Sequence, residues 1–208
     1  MLAVINFGLG NLQSISGALE KLEIPHVLTS DLKEISDADG LILPGVGSFP
    51  DGIRNLRNLG LPDLLHDLVI LQKRPVLGIC LGYQLMAREG FEFERLEGLG
   101  WLDATVVRLE KTAADARIPH VGWNDVVRVQ DSPIFDGIAE SALFYFTHSY
   151  HLVCHDQRDI IAFSENGMKF VSAVQKGNIF GTQFHPEKSQ QHGLDLLRNF
   201  SQKVVSGC

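Results

Sequence analysis

The sequence predicts an α/β fold: one domain of 208 residues with a central mixed, mainly parallel sheet between helices. Three observations predict it. In the first half, apolar runs of strand length alternate with segments where Leu and Ile recur at helical spacing, a βαβ pattern whose crossovers make strands parallel. From 104 to 184 the pattern changes to short strands separated by turns, which adds hairpins. At 75–86 a short apolar run starting at Pro75 turns sharply into a helix. No repeat, low-complexity segment or shift in composition divides the chain.

The elements follow in order. Residues 2–7 form an apolar strand that breaks at Gly8-Leu9-Gly10-Asn11, and Leu12, Ile15, Leu19 and Leu22 then mark a helix. Pro25 precedes a second strand over 27–29. Gly8-x-Gly10 lacks the third glycine and the downstream acid of a dinucleotide fingerprint, so it reads as a turn with close helix packing. A third strand, 40–43, ends in Pro44-Gly45-Val46-Gly47-Ser48-Phe49. Its glycines either make a turn or let a loop at the strand's C-terminal edge offer a backbone N–H to an oxyanion. Helices follow over 51–59 and 61–72; in the second, Leu61, Leu64, Leu65, Leu68 and Leu71 form one core stripe, with Asp63 in the first turn. After the strand at 76–79, a helix is expected over 81–88, then Gly90 and a charged loop over 92–97. The remaining strands are 105–109, 125–129, 143–147, 160–163, 171–175 and 179–184, with a polar loop at 111–117. Leu194, Leu197, Phe200 and Val204 give a closing amphipathic helix.

The chemistry centres on Gly78-x-Cys80-x-Gly82, the cysteine form of the nucleophile elbow. A strand-to-helix reversal this tight strains the central residue and leaves no room for side chains two residues either side. It holds the sulfur at a helix N-terminus, where the macrodipole and free N–H groups favour thiolate. A buried structural cysteine between packing glycines fits the same five residues. The partner stretch is Gly181-Thr182-Gln183-Phe184-His185-Pro186-Glu187-Lys188-Ser189. A Cys nucleophile needs a base and the base an orienting acceptor, and His185 and Glu187, two apart on an extended segment stiffened by Pro186, supply both.

G-I-C-L-G-Y-Q together with G-T-Q-F-H-P-E resembles the class I (triad) glutamine amidotransferases. With the stretches 44–49, 119–124, 145–150 and 188–190 the chain is similar, from about residue 4 to 200, to the glutaminase subunits of imidazole glycerol phosphate synthase. The resemblance implies a flavodoxin-like three-layer domain and hydrolysis of L-glutamine to glutamate and ammonia by Cys80, His185 and Glu187. It implies oxyanion donors at Leu81 N–H and at Val46 or Gly47, and a glutamine pocket lined by Gly47, Gln84, His148, Ser149 and Tyr150. It also implies a heterodimer with a cyclase of (β/α)₈-barrel fold, docked near Asn11, Pro119, Trp123, Tyr145 and Lys188, that uses the ammonia to form imidazole glycerol phosphate and an aminoimidazole carboxamide ribotide in histidine biosynthesis. Where the family usually has Asp-Tyr-Gly this chain has Asn6-Phe7-Gly8. Asn6, Tyr83 and the short acidic loop leave a paralogue serving another acceptor, such as a sugar amidation system, as the alternative; an inactive regulatory relative is set against an intact Cys80, His185 and Glu187.

A net charge of −7 argues against nucleic-acid or anionic-membrane partners. No signal-peptide pattern is present, and no apolar run reaches the ~18 residues of a membrane span. Cys80, Cys154 and Cys208 are odd in number, widely spaced and without a C-x-x-C pair, which fits a reducing cytoplasm; Cys154 reads as packing and Cys208 as inert. Of the eight histidines only His148 and His151 are close, followed by His155, and strand alternation sends the pair to opposite faces, so neither a metal nor a cofactor is expected. His120 and His148 fall in family-like motifs and read as site-lining or interface residues; His26, His66, His155 and His192 are expected in solvated positions.

Overall fold

The computed structural model describes residues 1–110 and 117–207; the expected polar loop over 111–117 lies, except for Arg117, outside the described residues, as does Cys208. β1 (Leu2–Ile5) and β2 (His26–Thr29) are parallel, joined through α1 (Leu12–Lys21). α2 (Leu32–Asp37) leads to β3 (Gly40–Leu43), parallel to β1 on its other side. α3 (Phe49–Asn58) and α4 (Leu61–His66), which a π-type turn at Asp67–Leu71 prolongs, lead to β4 (Val76–Ile79), parallel to β3. The chain continues through α5 (Leu81–Leu85), β5 (Ala87–Gly90), β6 (Leu96–Glu97), β7 (Leu102–Arg108), β8 (His120–Asp125), β9 (Val127–Arg128), β10 (Leu143–His148) and β11 (Tyr150–Cys154). It ends with β12 (Ile160–Glu165), β13 (Lys169–Lys176), β14 (Ile179–Thr182) and α6 (Gln190–Asn199), the last prolonged over Phe200–Val205.

The main sheet has the order β2-β1-β3-β4-β14-β13-β12-β9, parallel from β2 to β14 and antiparallel beyond. Period-2 alternation explains its two covered faces. In β1, Ala3 and Ile5 pack with α3, α4 and α5 residues such as Leu56, Leu65 and Leu85, while Leu2 and Val4 pack with Ile15, Leu197 and Phe200 from the α1 and α6 side. Two smaller sheets have the orders β10-β8 and β11-β7-β5-β6.

Several elements differ from the sequence reading, each for a physical reason. The helix expected over 81–88 stops at Leu85, because the Met86 carbonyl accepts from Trp101 N and Leu102 N and turns the chain into β5. The charged loop over 92–97 ends in the strand β6, and the strand over 125–129 shrinks to β9. β8 escaped notice because its pattern is inverted: Val121 and Trp123 are 57% and 44% exposed, while polar His120 is buried. α2 was not expected, although Asp31 caps it by accepting from Lys33 N and Glu34 N, a signal present in the letters Asp31…Glu34. His26 is half-buried rather than solvated, with one ring nitrogen on Ser16 Oγ (2.8 Å) and the other on Ile24 O (2.9 Å). His192 is also half-buried, whereas His66 and His155 are exposed as expected. His148 and His151 do not alternate along one strand, since Ser149 separates β10 from β11, and both are buried. Among the described residues no three His, Cys, Asp or Glu side chains gather as for a metal ion, and no helix is long and apolar enough to cross a membrane.

Candidate active site

β4 delivers Cys80 to the carboxyl edge of the sheet, and α5 starts one residue later. Cys80 has φ 52° and ψ −104°, the strained conformation of an elbow, and Cys80 N is held by Thr182 O at 2.8 Å. The flanking glycines are steric necessities: a Cβ on Gly82 would lie 1.8 Å from Leu43 O, and one on Gly78 2.9 Å from Tyr83 N. Alanine cannot be accommodated at Gly82 without moving β3, so Gly82→Ala is expected to lose soluble, folded protein, as gel filtration of the expressed variant would read.

β14 brings His185 to the same edge. Its Nδ1 hydrogen-bonds Glu187 Oε1 at 2.8 Å, with both side chains almost wholly buried, and its Nε2 has no hydrogen-bond partner among the described residues. Burial pulls the imidazole down, but the charge of the neighbouring Cys80 thiolate and the Glu187 carboxylate bonded to Nδ1 outweigh it and hold His185 up at about 10. An imidazole so placed can take the thiol proton and keep it. Ser189 Oγ donates to His185 O (2.5 Å) and accepts from Tyr145 N (3.0 Å), which anchors this turn to β10.

A cavity of about 240 Å³ opens over the sulfur, lined by Val46, Gly47, Cys80, Leu81, Gln84, Glu92, Thr147, His148, Ser149 and Tyr150. All the pocket residues expected from sequence therefore meet here. Glu92 was missed, because inside a run of charges it read as surface. Its Oε2 accepts from Phe49 N at 2.7 Å, and burial raises its carboxyl above the usual range, offset in part by that N–H. His148 lines the cavity with no ring nitrogen to spare. Nδ1 reaches the Tyr150 carbonyl (2.8 Å) and so carries the proton, which leaves Nε2 to accept from His120 Nδ1 at 3.0 Å.

Burial pulls His148 down to about 3 and His120 to about 4. Both stay neutral in the fold while the unfolded chain binds their protons below about 6.5. Their contribution to stability is complete above that value and is lost as pH falls through the window toward 4 and 3. His151, lowered by burial, adds to the loss; His185, raised, works oppositely and loses its contribution as pH rises toward about 10. Between pH 7 and 5.5 the net expected fall from His148, His120 and His185 is about 2 kcal/mol, read by urea unfolding, since each unit of linked titration is worth about 1.4 kcal/mol per proton. A flat profile there would contradict the neutral pair.

The expected oxyanion donors are not both presented. Leu81 N donates to Gly45 O at 3.2 Å. The planar trans peptide then points Val46 N–H the opposite way, away from Leu81. Gly45 permits this approach, since a Cβ there would stand 2.9 Å from Leu81 Cβ.

Of the expected docking residues, Trp123 and Tyr145 sit opposite each other in β8 and β10 with ring centroids 6.0 Å apart, and Lys188 Nζ lies 5.8 Å from the Tyr145 ring centre. Pro119, exposed, immediately precedes β8. Asn11 stands apart at the head of α1, which packs on the turn bearing Lys188.

The profile of the family described as Glutamine amidotransferase class-I matches residues 3–204. The chain belongs to the class I glutamine amidotransferases. Its curated relatives include "Imidazole glycerol phosphate synthase subunit HisH 1" of Campylobacter jejuni strain 81-176, 43% identical over 97% of this chain and 99% of the relative. "Imidazole glycerol phosphate synthase subunit HisH 2" of Pseudomonas aeruginosa PAO1 is 42% identical over 98% of this chain and 100% of its own length. Among solved structures, one described as a glutamine amidotransferase superposes with a TM-score of 0.76 at 19% identity, covering 99% of this chain and 98% of that one. PurLQS from Thermotoga maritima gives 0.72 at 19%, covering 98% of each chain. At such identities these structures speak for the amidotransferase fold, whose three layers this chain shares.

Proposed function

We propose that this chain is the glutaminase subunit of an imidazole glycerol phosphate synthase, a cytoplasmic single-domain amidotransferase that supplies ammonia for histidine biosynthesis. The observation that carries the reaction is Cys80 in the cavity with His185, itself bonded to Glu187, close enough for the sulfur's charge to raise the imidazole. The near-full-length likeness to subunits named HisH favours the cyclase over another ammonia acceptor. That partner is a cyclase of (β/α)₈-barrel fold seated on the Trp123, Tyr145 and Lys188 patch, with Pro119 and Asn11 toward its rim.

Glutamine enters with its α-ammonium toward Glu92 and its α-carboxylate toward the strand end at Ser149 and Tyr150, Gly47 and Gln84 completing the fit. Cys80 thiolate attacks the side-chain amide carbon, and the imidazolium of His185 gives its proton to the departing ammonia. The glutamyl thioester then meets water, whose proton His185 accepts; collapse releases glutamate and restores the thiolate. Glu187 holds the imidazole's tautomer and orientation throughout.

Oxyanion stabilisation needs Leu81 N–H, which Gly45 O occupies in this structure. One rotation of the Gly45–Val46 peptide clears that donor and swings Val46 N–H into its place. The resting protein is therefore nearly inactive, and a partner with substrate bound activates it by preferring the rotated loop. Complementation tests the assignment: the gene should restore growth without histidine to a strain lacking its own glutaminase chain when the cognate cyclase is present. Soluble expression without growth would favour another acceptor.

A further inference from the structure

Gln183 is wholly buried, and packing alone would be served by leucine. Instead both ends of its amide are engaged in a chain whose polarity is fixed. The chain starts at the Tyr150 carbonyl, which can only accept, so the atom of Gln84 lying 2.8 Å from it is the NH₂ group. That same nitrogen lies 3.0 Å from the Gln183 amide, whose facing atom must then be oxygen. The Gln183 NH₂ is left pointing at Cys80 Sγ, 3.6 Å away. His148 Nδ1–H also donates to Tyr150 O, with His120 behind it and Asn124 Nδ2 donating to His120 Nε2 at 3.2 Å. The carbonyl at the origin is thus pinned from two sides.

We propose that Gln183 is a further catalytic residue, an amide donor that holds Cys80 as thiolate and aims it at the substrate carbon. This rests on Cys80 being the nucleophile. A thiolate sulfur is a far better acceptor than a thiol, so an enforced N–H favours ionisation. The thiol has its own acceptor, Thr147 O at 3.8 Å, and the Gln183 donor opposes that form. The remaining titratable groups around the sulfur are His185 with Glu187 from the turn after β14, His148 from the end of β10 and Glu92 across the cavity. None of them can replace the neutral donor on Gln183's side.

The test is the pH dependence of Cys80 alkylation by iodoacetamide in the full-length protein, read on the Cys80 peptide by mass spectrometry. Gln183→Glu keeps an acceptor for Gln84 but turns a carboxylate oxygen toward the sulfur; Gln183→Met removes the donor. Both should raise the alkylation midpoint by about one pH unit or more, Gln183→Glu the further, with alkylation below that midpoint slowed about tenfold. The kcat for glutamine should fall with KM nearly unchanged. A wild-type midpoint in folded Gln183→Glu would overturn the proposal. Should both variants misfold, the side-chain amide resonances of Gln183 in the wild-type protein provide the reading: they should shift as Cys80 titrates and not in Cys80→Ala, and an unchanged resonance overturns it. If complete alkylation of Cys80 leaves glutamine hydrolysis intact, the nucleophile reading falls and this inference with it.

Discussion

Cys80→Ala is expected to abolish glutamine-dependent turnover by the complex, by about 10⁴-fold or more, while turnover with added ammonium salt stays at the wild-type level. The split follows from what the cysteine does. On the proposed route its sulfur forms the bond to the glutamyl carbon, and no second thiol lines the cavity. Cys154 lies buried in β11 with its thiol pushed up to about 12, chiefly by burial. Ammonia entering from solvent bypasses the elbow, so a folded alanine variant remains a competent partner. The fold should tolerate the change: φ of 52° costs alanine little more than cysteine. Steady-state rates with each nitrogen source check this, and full glutaminase activity in the alanine variant would refute the assignment.

The second large effect concerns latency. Removing one oxyanion donor costs about 10² to 10³ in rate. In this structure Leu81 N–H is covered by Gly45 O and Val46 N–H points away from it. Proline at 46 has no N–H to rotate in. Val46→Pro should therefore bind the cyclase as wild type does yet lose about 10² to 10³ of the stimulated glutaminase rate. Titration calorimetry of the complex and stimulated turnover separate the two effects. Stimulation of wild-type size would leave Val46 N–H without a role and turn attention to Gly47.

Much of the site was legible because its geometry is local. Gly78-x-Cys80-x-Gly82 encodes a turn only glycines permit, and the bounding contacts at Leu43 O and Tyr83 N are what those letters mean physically. His185 and Glu187 sit two apart, so no tertiary information was needed to pair them. What was missed depends on distant segments. Glu92 belongs to a hairpin that folds back on α3, and its partner Phe49 N is 43 residues away. Gln183 and Gln84 meet across 99 residues. β8 was hidden because its apolar side chains face outward, as suits a strand awaiting a partner. The helix over 81–88 was overdrawn because Leu81, Leu85 and Arg88 keep helical spacing, although Arg88 already lies in β5.

The chemistry at Cys80 can be caught directly. The complex, turning over glutamine, is quenched in acid, digested, and the mass of the peptide bearing Cys80 is measured. One glutamyl group on that peptide is expected, absent in Cys80→Ala and released as glutamate when the sample is returned to neutral pH. Vigorous hydrolysis with the Cys80 peptide unmodified, or with the glutamyl group on another residue, would contradict a thioester route through Cys80, His185 and Glu187.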